Sequence, residues 1–111
     1  MSLLPLDQLR FDLFKDLLNT PFLVEVTPDH SAEMELIEAE ITGKSVKSQS
    51  IPGCESFSLT FRGDAPGQLP QRTYRFKHPQ VGEFDLFIVP VAAEGRMILY
   101  QAVFNRLLPS A

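Results

Sequence analysis

Apolar and polar positions alternate along much of the second half of the chain. Glu55–Arg62 and Gln71–His78 each place aromatic or aliphatic side chains at alternate positions, with polar side chains between them. Glu83–Val91 and Arg96–Asn105 are apolar on both faces in their middles and flank the Gly-containing turn Ala92–Gly95. A period of two predicts strands, and two such runs around a short turn predict a hairpin. We expect these last two strands to lie centrally and to be covered on both sides.

The first half of the chain predicts a helix followed by two strands. Asp7–Leu18 repeats Leu at three- and four-residue steps between charged side chains, which is typical of an amphipathic helix that covers one side of a sheet. Phe22–Thr27 is a short strand candidate. In Glu33–Thr42 the apolar positions change phase near Leu36–Ile37, and a strand with a β-bulge there explains the change. The polar segment Gly43–Cys54 lacks periodicity and is expected to be the longest loop.

Charge and apolar phase together predict how neighbouring strands pair. The predicted cross-strand pairs of the first hairpin are Lys77 with Glu83, Phe76 with Phe84, Arg75 with Asp85 and Tyr74 with Leu86. In the next hairpin, a four-residue turn predicts Phe87 with Tyr100, Ile88 with Leu99 and Val89 with Ile98. The strands from Glu55 onward would form a meander of four, which the two earlier strands close. The expected fold class is mainly β, an antiparallel six-stranded small barrel or roll with an N-terminal amphipathic helix.

Length and charge restrict the classes of partner. The chain has 111 residues, enough for a single domain, residues 1–111, with its own hydrophobic core. Its formal net charge is −4 and its Lys and Arg residues are scattered, so we expect no nucleic-acid partner. The apolar runs are too short for a membrane-spanning helix, and the first residues lack the basic start of a signal peptide. We therefore expect a cytoplasmic protein without a membrane partner.

Three residues could carry nucleophilic or metal chemistry. They are Cys54, His30 and His78, and no pair of them has the close spacing of zinc ligands. Cys54 is the only cysteine, which fits a reducing compartment and excludes an internal disulfide. The adjacent Glu55 disfavours a reactive thiolate. We expect no metal, no cofactor and no enzymatic activity.

Charged side chains suggest two further kinds of functional site, a carboxylate site for acid–base catalysis and an anion-binding site. Glu33, Glu35, Glu38 and Glu40 alternate along one predicted strand, which is more typical of a solvated face and a protected edge than of acid–base catalysis. The basic face of Arg62, Arg75 and Lys77 could accept an anion. Because Glu83 and Asp85 supply counter-charges, we expect these cations to be paired within the protein.

Several segments of the second half carry a specific pattern, and three upstream segments fit it more loosely. The former are Ser56–Gly63, Leu69–Tyr74, His78–Pro79, Val81–Phe84, Leu86–Pro90 and Tyr100–Asn105, and the latter are Phe11, Thr20–Phe22 and Leu36–Glu38. This pattern resembles a family of small bacterial proteins classed as a domain of unknown function. The resemblance implies no activity. Its members resemble accessory proteins found near bacteriophage-tail-like genes, and the family usually has Gly where this chain has Asn19.

The sequence therefore favours a non-enzymatic structural or adaptor protein that binds another protein, and the resemblance implies an accessory role in a phage-tail-like assembly. The expected contact surfaces are the loops Lys44–Pro52 and Asp64–Pro70, with these candidate residues: Lys44, Val46, Lys47, Gln49, Ile51, Asp64 and Gln68. The alternative is a small-ligand-binding β-barrel whose interior is lined by Phe57, Phe61, Tyr74, Phe76 and Tyr100. An unpaired edge at Phe22–Thr27 would favour strand-to-strand pairing, so we expect a monomer or a weak homodimer.

Overall fold

The strands of this protein form one antiparallel sheet that closes on itself. The computed structural model describes residues 9–45, 54–64 and 69–107. These residues form one short helix and six strands, with the bounds α1 Phe11–Lys15, β1 Pro21–Thr27, β2 His30–Ser45, β3 Cys54–Asp64, β4 Arg72–His78, β5 Gly82–Glu94 and β6 Met97–Leu107. The predicted fold class is confirmed: mainly β, with six antiparallel strands and an N-terminal helix.

The order of strands around the ring differs from a simple meander. The neighbours are β1-β2-β3-β6-β5-β4, and β4 pairs with β1 to close the barrel. The predicted meander of four strands from Glu55 is therefore wrong, because β3 pairs with β6 instead of β4. β3 ends with Asp64, and Leu69–Gln71, which we call the crossing segment, lead into β4 beside β1. β1 is consequently paired on both sides, so Phe22–Thr27 is not the free edge considered above.

One of the two predicted hairpin registers is correct. In β4–β5, all four predicted pairs are present, including Arg75 opposite Asp85. In β5–β6 the prediction is wrong, because Val89 lies opposite Gln101 and not Ile98. β5 continues as far as Glu94, which pairs with Met97, so the turn contains only two residues. The glycine of this turn, Gly95, has φ 60°, and a register shift between Pro90 and Ala92 adds a further offset.

The predicted bulge in β2 is present, and it anchors the end of the helix. The register between β2 and β3 shifts between Leu36 and Glu38. The Leu36 N–H donates to the Thr20 carbonyl at 3.2 Å, and the Leu36 carbonyl accepts from the Asn19 N–H at 2.7 Å. The backbone of the turn after α1 is thus bonded to β2 where the pairing with β3 is irregular.

The helix is shorter than the predicted Asp7–Leu18. Only Phe11–Lys15 is helical, and the predicted start at Asp7 lies outside the described residues. Arg10 is extended, with φ −110° and ψ 157°, and the chain turns after Asp16. Hydrogen bonds from the turn to Leu36 replace further helical bonds, which explains why an apolar period of helical spacing does not continue as a helix.

Side chains from α1 and from the crossing segment fill the two ends of the ring. Phe14 is fully buried, and its ring centroid lies 6.4 Å from Phe57, 5.7 Å from Phe84 and 5.9 Å from Phe104. At the other end Leu69 is buried, and its backbone N–H donates to the Tyr100 hydroxyl at 2.9 Å. The core between these two plugs is made largely of contacting Phe side chains.

Three strands continue beyond the ring. The β1–β2 pairing ends with Pro21 opposite Glu35, and the β5–β6 pairing ends with Val89 opposite Gln101. β2, β3 and β6 remain paired past these points, as far as Ser45, Cys54 and Leu107. We refer to the residues of β2, β3 and β6 from the Glu38–Thr60–Gln101 row outward as the three-stranded arm.

Asn19 gives a test of the turn that joins α1 to β1. Its φ of 66° lies in the left-handed region, where a Cβ other than that of Asn or Asp costs about 1–2 kcal/mol and Gly costs nothing. We expect Asn19→Ala to lower the free energy of unfolding by about 1 kcal/mol, and Asn19→Gly to leave it unchanged or raise it. Urea denaturation of the three proteins measures both effects.

Asp16→Ala is the matched control, because Asp16 is exposed in the same turn but has an ordinary φ of −79°. A loss of stability in Asp16→Ala as large as that in Asn19→Ala would contradict the backbone argument.

Candidate functional site

The two loops predicted to bind a partner belong to opposite ends of β3. Lys44 lies in β2 opposite Glu55, and Asp64 is the exposed last residue of β3, opposite Met97. At about 3.3 Å per residue, Glu55 and Asp64 are about 30 Å apart along the strand. The other candidate residues lie outside the described residues: Val46, Lys47, Gln49, Ile51 and Gln68. The described ends of the two loops therefore lie far apart on the sheet.

His78 occupies a closed hydrogen-bonding site at the end of β4. Its Nδ1 accepts from the Gln80 backbone N–H at 3.1 Å, and its Nε2 lies 3.0 Å from the Thr20 hydroxyl oxygen. The Thr20 hydroxyl donates to the Leu17 carbonyl at 2.6 Å, so Nε2 carries the proton and donates to Thr20. Both ring nitrogens of a neutral imidazole are thereby satisfied.

The surroundings of His78 favour this neutral form. Its side chain is buried, and its ring centroid lies 4.6 Å from that of Phe22. Burial lowers the pKa of His78 below the ordinary value of 6.5. His78 thus joins β4 to the turn after α1, which is a structural role for one of the three residues singled out for chemistry.

The basic face predicted from Arg62, Arg75 and Lys77 is paired with carboxylates. Arg62 contacts Glu35 at 2.6 Å, and Lys77 contacts Glu25 at 3.5 Å. Arg75 contacts two carboxylates, Asp85 at 2.7 Å and Glu83 at 3.5 Å. Lys77 lies opposite Glu83 in the register, as predicted, yet its own ion pair is with the neighbouring strand. All these side chains are partly exposed, so solvent screens each pair and its contribution to stability is small.

The acidic residues of β2 do not assemble a metal site. Glu33, Glu38 and Glu40 are exposed along the strand, while Glu35 is engaged by Arg62. Across the described residues, no group of three or more His, Cys, Asp and Glu side chains could hold a metal ion. In the same part of the chain, no helix has the length and apolar character needed to span a bilayer.

The aromatic side chains predicted to line a cavity are buried in the core. All five are at most 2% exposed: Phe57, Phe61, Tyr74, Phe76 and Tyr100. Phe61 and Phe76 have ring centroids 5.1 Å apart. The Tyr74 hydroxyl donates to the Pro70 carbonyl at 2.7 Å, which places it, like the Tyr100 hydroxyl, against the crossing segment. These residues are packed as a core, and their polar atoms are bonded to the chain itself.

The sequence analysis missed an exposed apolar surface on β5 and β6. Phe87 is 52% exposed and Val103 is 60% exposed, so the two strands are not covered on both sides as expected. Val89 lies opposite Gln101, and Phe87 and Val103 lie two residues farther along their strands on the same outward face. The apolar residues on both faces of β5 were a usable signal. The incorrect register, which paired Phe87 with the buried Tyr100, concealed their exposure.

These features define a small closed β protein with a helical plug at one end and an exposed apolar surface on β5 and β6. A family model described as Domain of unknown function (DUF6916) matches residues 9–104, and the chain belongs to this family. The predicted resemblance to a family of unknown function is confirmed. No curated protein and no solved structure matches the chain.

The buried His78 predicts a dependence of stability on pH. Because its pKa is lowered in the folded state, the unfolded chain binds more protons as the pH falls below about 6.5. The stabilisation that neutral His78 contributes is complete above that pH, and it is lost as the pH falls toward the pKa of His78 in the folded state. We expect the free energy of unfolding of the wild type to fall more steeply between about pH 8 and about pH 5 than that of His78→Gln.

His30→Gln is the control, because His30 is exposed at the start of β2. Chemical denaturation across the pH series measures all three slopes. If His78→Gln keeps the slope of the wild type, another group accounts for the acid sensitivity.

Proposed function

We propose that this protein is a non-enzymatic structural or adaptor module that binds another protein. The observation that supports this proposal is the position of two groups of side chains, the ionisable ones and the large apolar ones. His78 and the basic face are engaged within the chain. Large apolar side chains instead face solvent on β5 and β6: Phe87, Val91 and Val103. Contiguous exposed apolar side chains are more typical of protein-binding surfaces than of catalytic sites.

The tip of the three-stranded arm is the second part of the proposed binding surface. Ser45 and Cys54 pair at this tip, and Lys44 pairs with Glu55 beside them. The arm places Ser45 and Cys54, the residues that flank the connection between β2 and β3, beyond the β1–β2 and β5–β6 pairings of the ring. A loop held on a rigid scaffold is a common location for binding residues.

The proposed partner is a component of a phage-tail-like assembly, as the family resemblance suggests. The mildly acidic chain, with a formal net charge of −4, is compatible with a protein partner and offers no concentrated basic surface for nucleic acid. The alternative of a small-ligand-binding barrel has less support, because Phe61, Phe76 and the neighbouring rings contact one another in the interior.

A loop replacement tests the adaptor proposal. Because Ser45 and Cys54 are cross-strand partners, an Asn-Gly turn in place of residues 46–53 connects them without changing the β2–β3 register. We expect the free energy of unfolding to change by about 1 kcal/mol or less, since loop-closure entropy varies slowly with length. Recovery of a specific partner in an affinity pull-down from the native host, quantified by mass spectrometry, should fall about tenfold.

Asp29→Ala is the matched control, because Asp29 is exposed in the turn between β1 and β2, at the end of β2 opposite the arm tip. It should preserve partner recovery if the arm tip alone makes the contact. Two results would count against the proposal: no reproducible partner for the wild type, or a partner retained in full by both the loop replacement and the Phe87→Ser variant.

A further inference from the structure

β5 and β6 are paired with each other over only part of their length, from Val89 opposite Gln101 to Glu94 opposite Met97. Past Val89 and Gln101, β5 is paired only with β4, and β6 only with β3, within the described residues. The two unpaired edges are Gly82–Ile88 of β5 and Ala102–Leu107 of β6. We call the space between these edges the seam. Each edge presents backbone N–H and C=O groups on its seam side that no described strand engages.

Phe14 of the helix packs against the inner side of the seam. Phe14 contacts Phe84 of β5 and Phe104 of β6, with ring centroids 5.7 Å and 5.9 Å away. Phe104 also stacks on Phe57 at 4.5 Å, with the rings 9° from parallel. A strand placed in the seam would therefore lie on a packed apolar floor, and one of its faces would be shielded from water without any rearrangement of the core.

The outer side of the seam is apolar on both margins. Phe87 and Val103 stand on the outward face of β5 and β6, on either side of the seam, and are 52% and 60% exposed. Alternate side chains of a strand between them would contact both. The opposite edge of the arm is different in character, because β2 carries exposed Glu38 and Glu40 there. Charged residues on an edge oppose strand addition, so the β2 edge, where Ile41 is 43% exposed beside Glu40, is better protected than the β6 edge.

We propose that an extended segment of a partner protein adds to β6 as a β-strand in the seam. The segment pairs its backbone with Ala102–Leu107 and places apolar side chains at every second position, against Phe87 and Val103. Backbone pairing supplies the binding energy and the two exposed side chains supply the selectivity for a β-strand of alternating pattern. This inference rests on the proposed adaptor function and identifies the kind of partner segment that it recognises.

The test uses the full-length protein and a display library of short random peptides as the probe. We expect the enriched peptides to carry apolar residues with a period of two and to include few prolines, since proline cannot donate to the ladder. A synthetic enriched peptide should bind Val103→Lys and Phe87→Lys about tenfold more weakly than the wild type. It should also slow amide hydrogen exchange in Ala102–Leu107.

Leu23→Lys is the matched control. Leu23 is 44% exposed on the outer face of β1, a strand paired on both sides, and of its two cross-strand neighbours Glu33 attracts the added charge while Lys77 repels it. Its peptide affinity should equal that of the wild type. Failure to enrich any binder, or enrichment of peptides with helical periodicity, would overturn the seam proposal.

Two further outcomes separate the seam from the adaptor function. A partner recovered equally by the wild type and Val103→Lys would overturn the seam while leaving the adaptor proposal intact. Sedimentation that shows a dimer dissociated by Val103→Lys would also overturn it, because the seam would then be occupied by a second copy of this chain.

Discussion

Closure of the sheet rests on a short stretch of pairing between β1 and β4, from Leu23 opposite Lys77 to Glu25 opposite Arg75. Without it, β1 and β4 would each present an unpaired edge, and the buried residues between them would lose one wall. The ion pair between Lys77 and Glu25 spans the same junction, at 3.5 Å. The aromatic core depends on this closure, because Phe22 on β1 contacts Phe76 on β4 across it, with ring centroids 6.4 Å apart.

The helix stabilises the ring through the position of its buried side chain, Phe14, and not through its length. Its five residues form too short a helix to be stable alone. It is held by backbone bonds from the following turn to Leu36 and by burial of Phe14 among aromatic side chains of β3, β5 and β6. The irregular register of β2 is therefore part of the mechanism that seats the helix, and His78 adds a bond from β4 to the same turn through Thr20.

The elements that local pattern could predict are those whose geometry is determined by neighbouring residues. The β4–β5 register followed from charge and apolar phase across a short link, and the β2 bulge followed from a change of phase at Leu36–Ile37. The β5–β6 register did not, because it depends on the positive φ of Gly95 and on an irregularity after Pro90. The pairing of β3 with β6 could not be predicted either, since the link between β3 and β4 is long enough for more than one partner.

The candidate surfaces also include features that local sequence pattern predicts and features that it does not. Loop composition alone selected Lys44 and Asp64. The structure adds that Lys44 lies in β2 opposite one end of β3, whereas Asp64 lies at the other end of β3. The seam depends on where pairing stops along β5 and β6, which is a property of the whole ring and leaves no local signature. Exposure of Val103 could be recognised only once its neighbours across the strands were known.

The order of strands also has a consequence for how the chain folds. Strands β1, β2 and β3 form one local meander and β4, β5 and β6 form another, each with short-range pairing. The pairing of β1 with β4 joins residues 50 to 54 positions apart, and that of β3 with β6 joins residues 33 to 53 positions apart. The loop entropy of both long joins must be overcome before the ring exists, and closing either one brings the strands of the other together. We therefore expect the joining of the two meanders to limit the folding rate, and folding to be slow for a chain of this size.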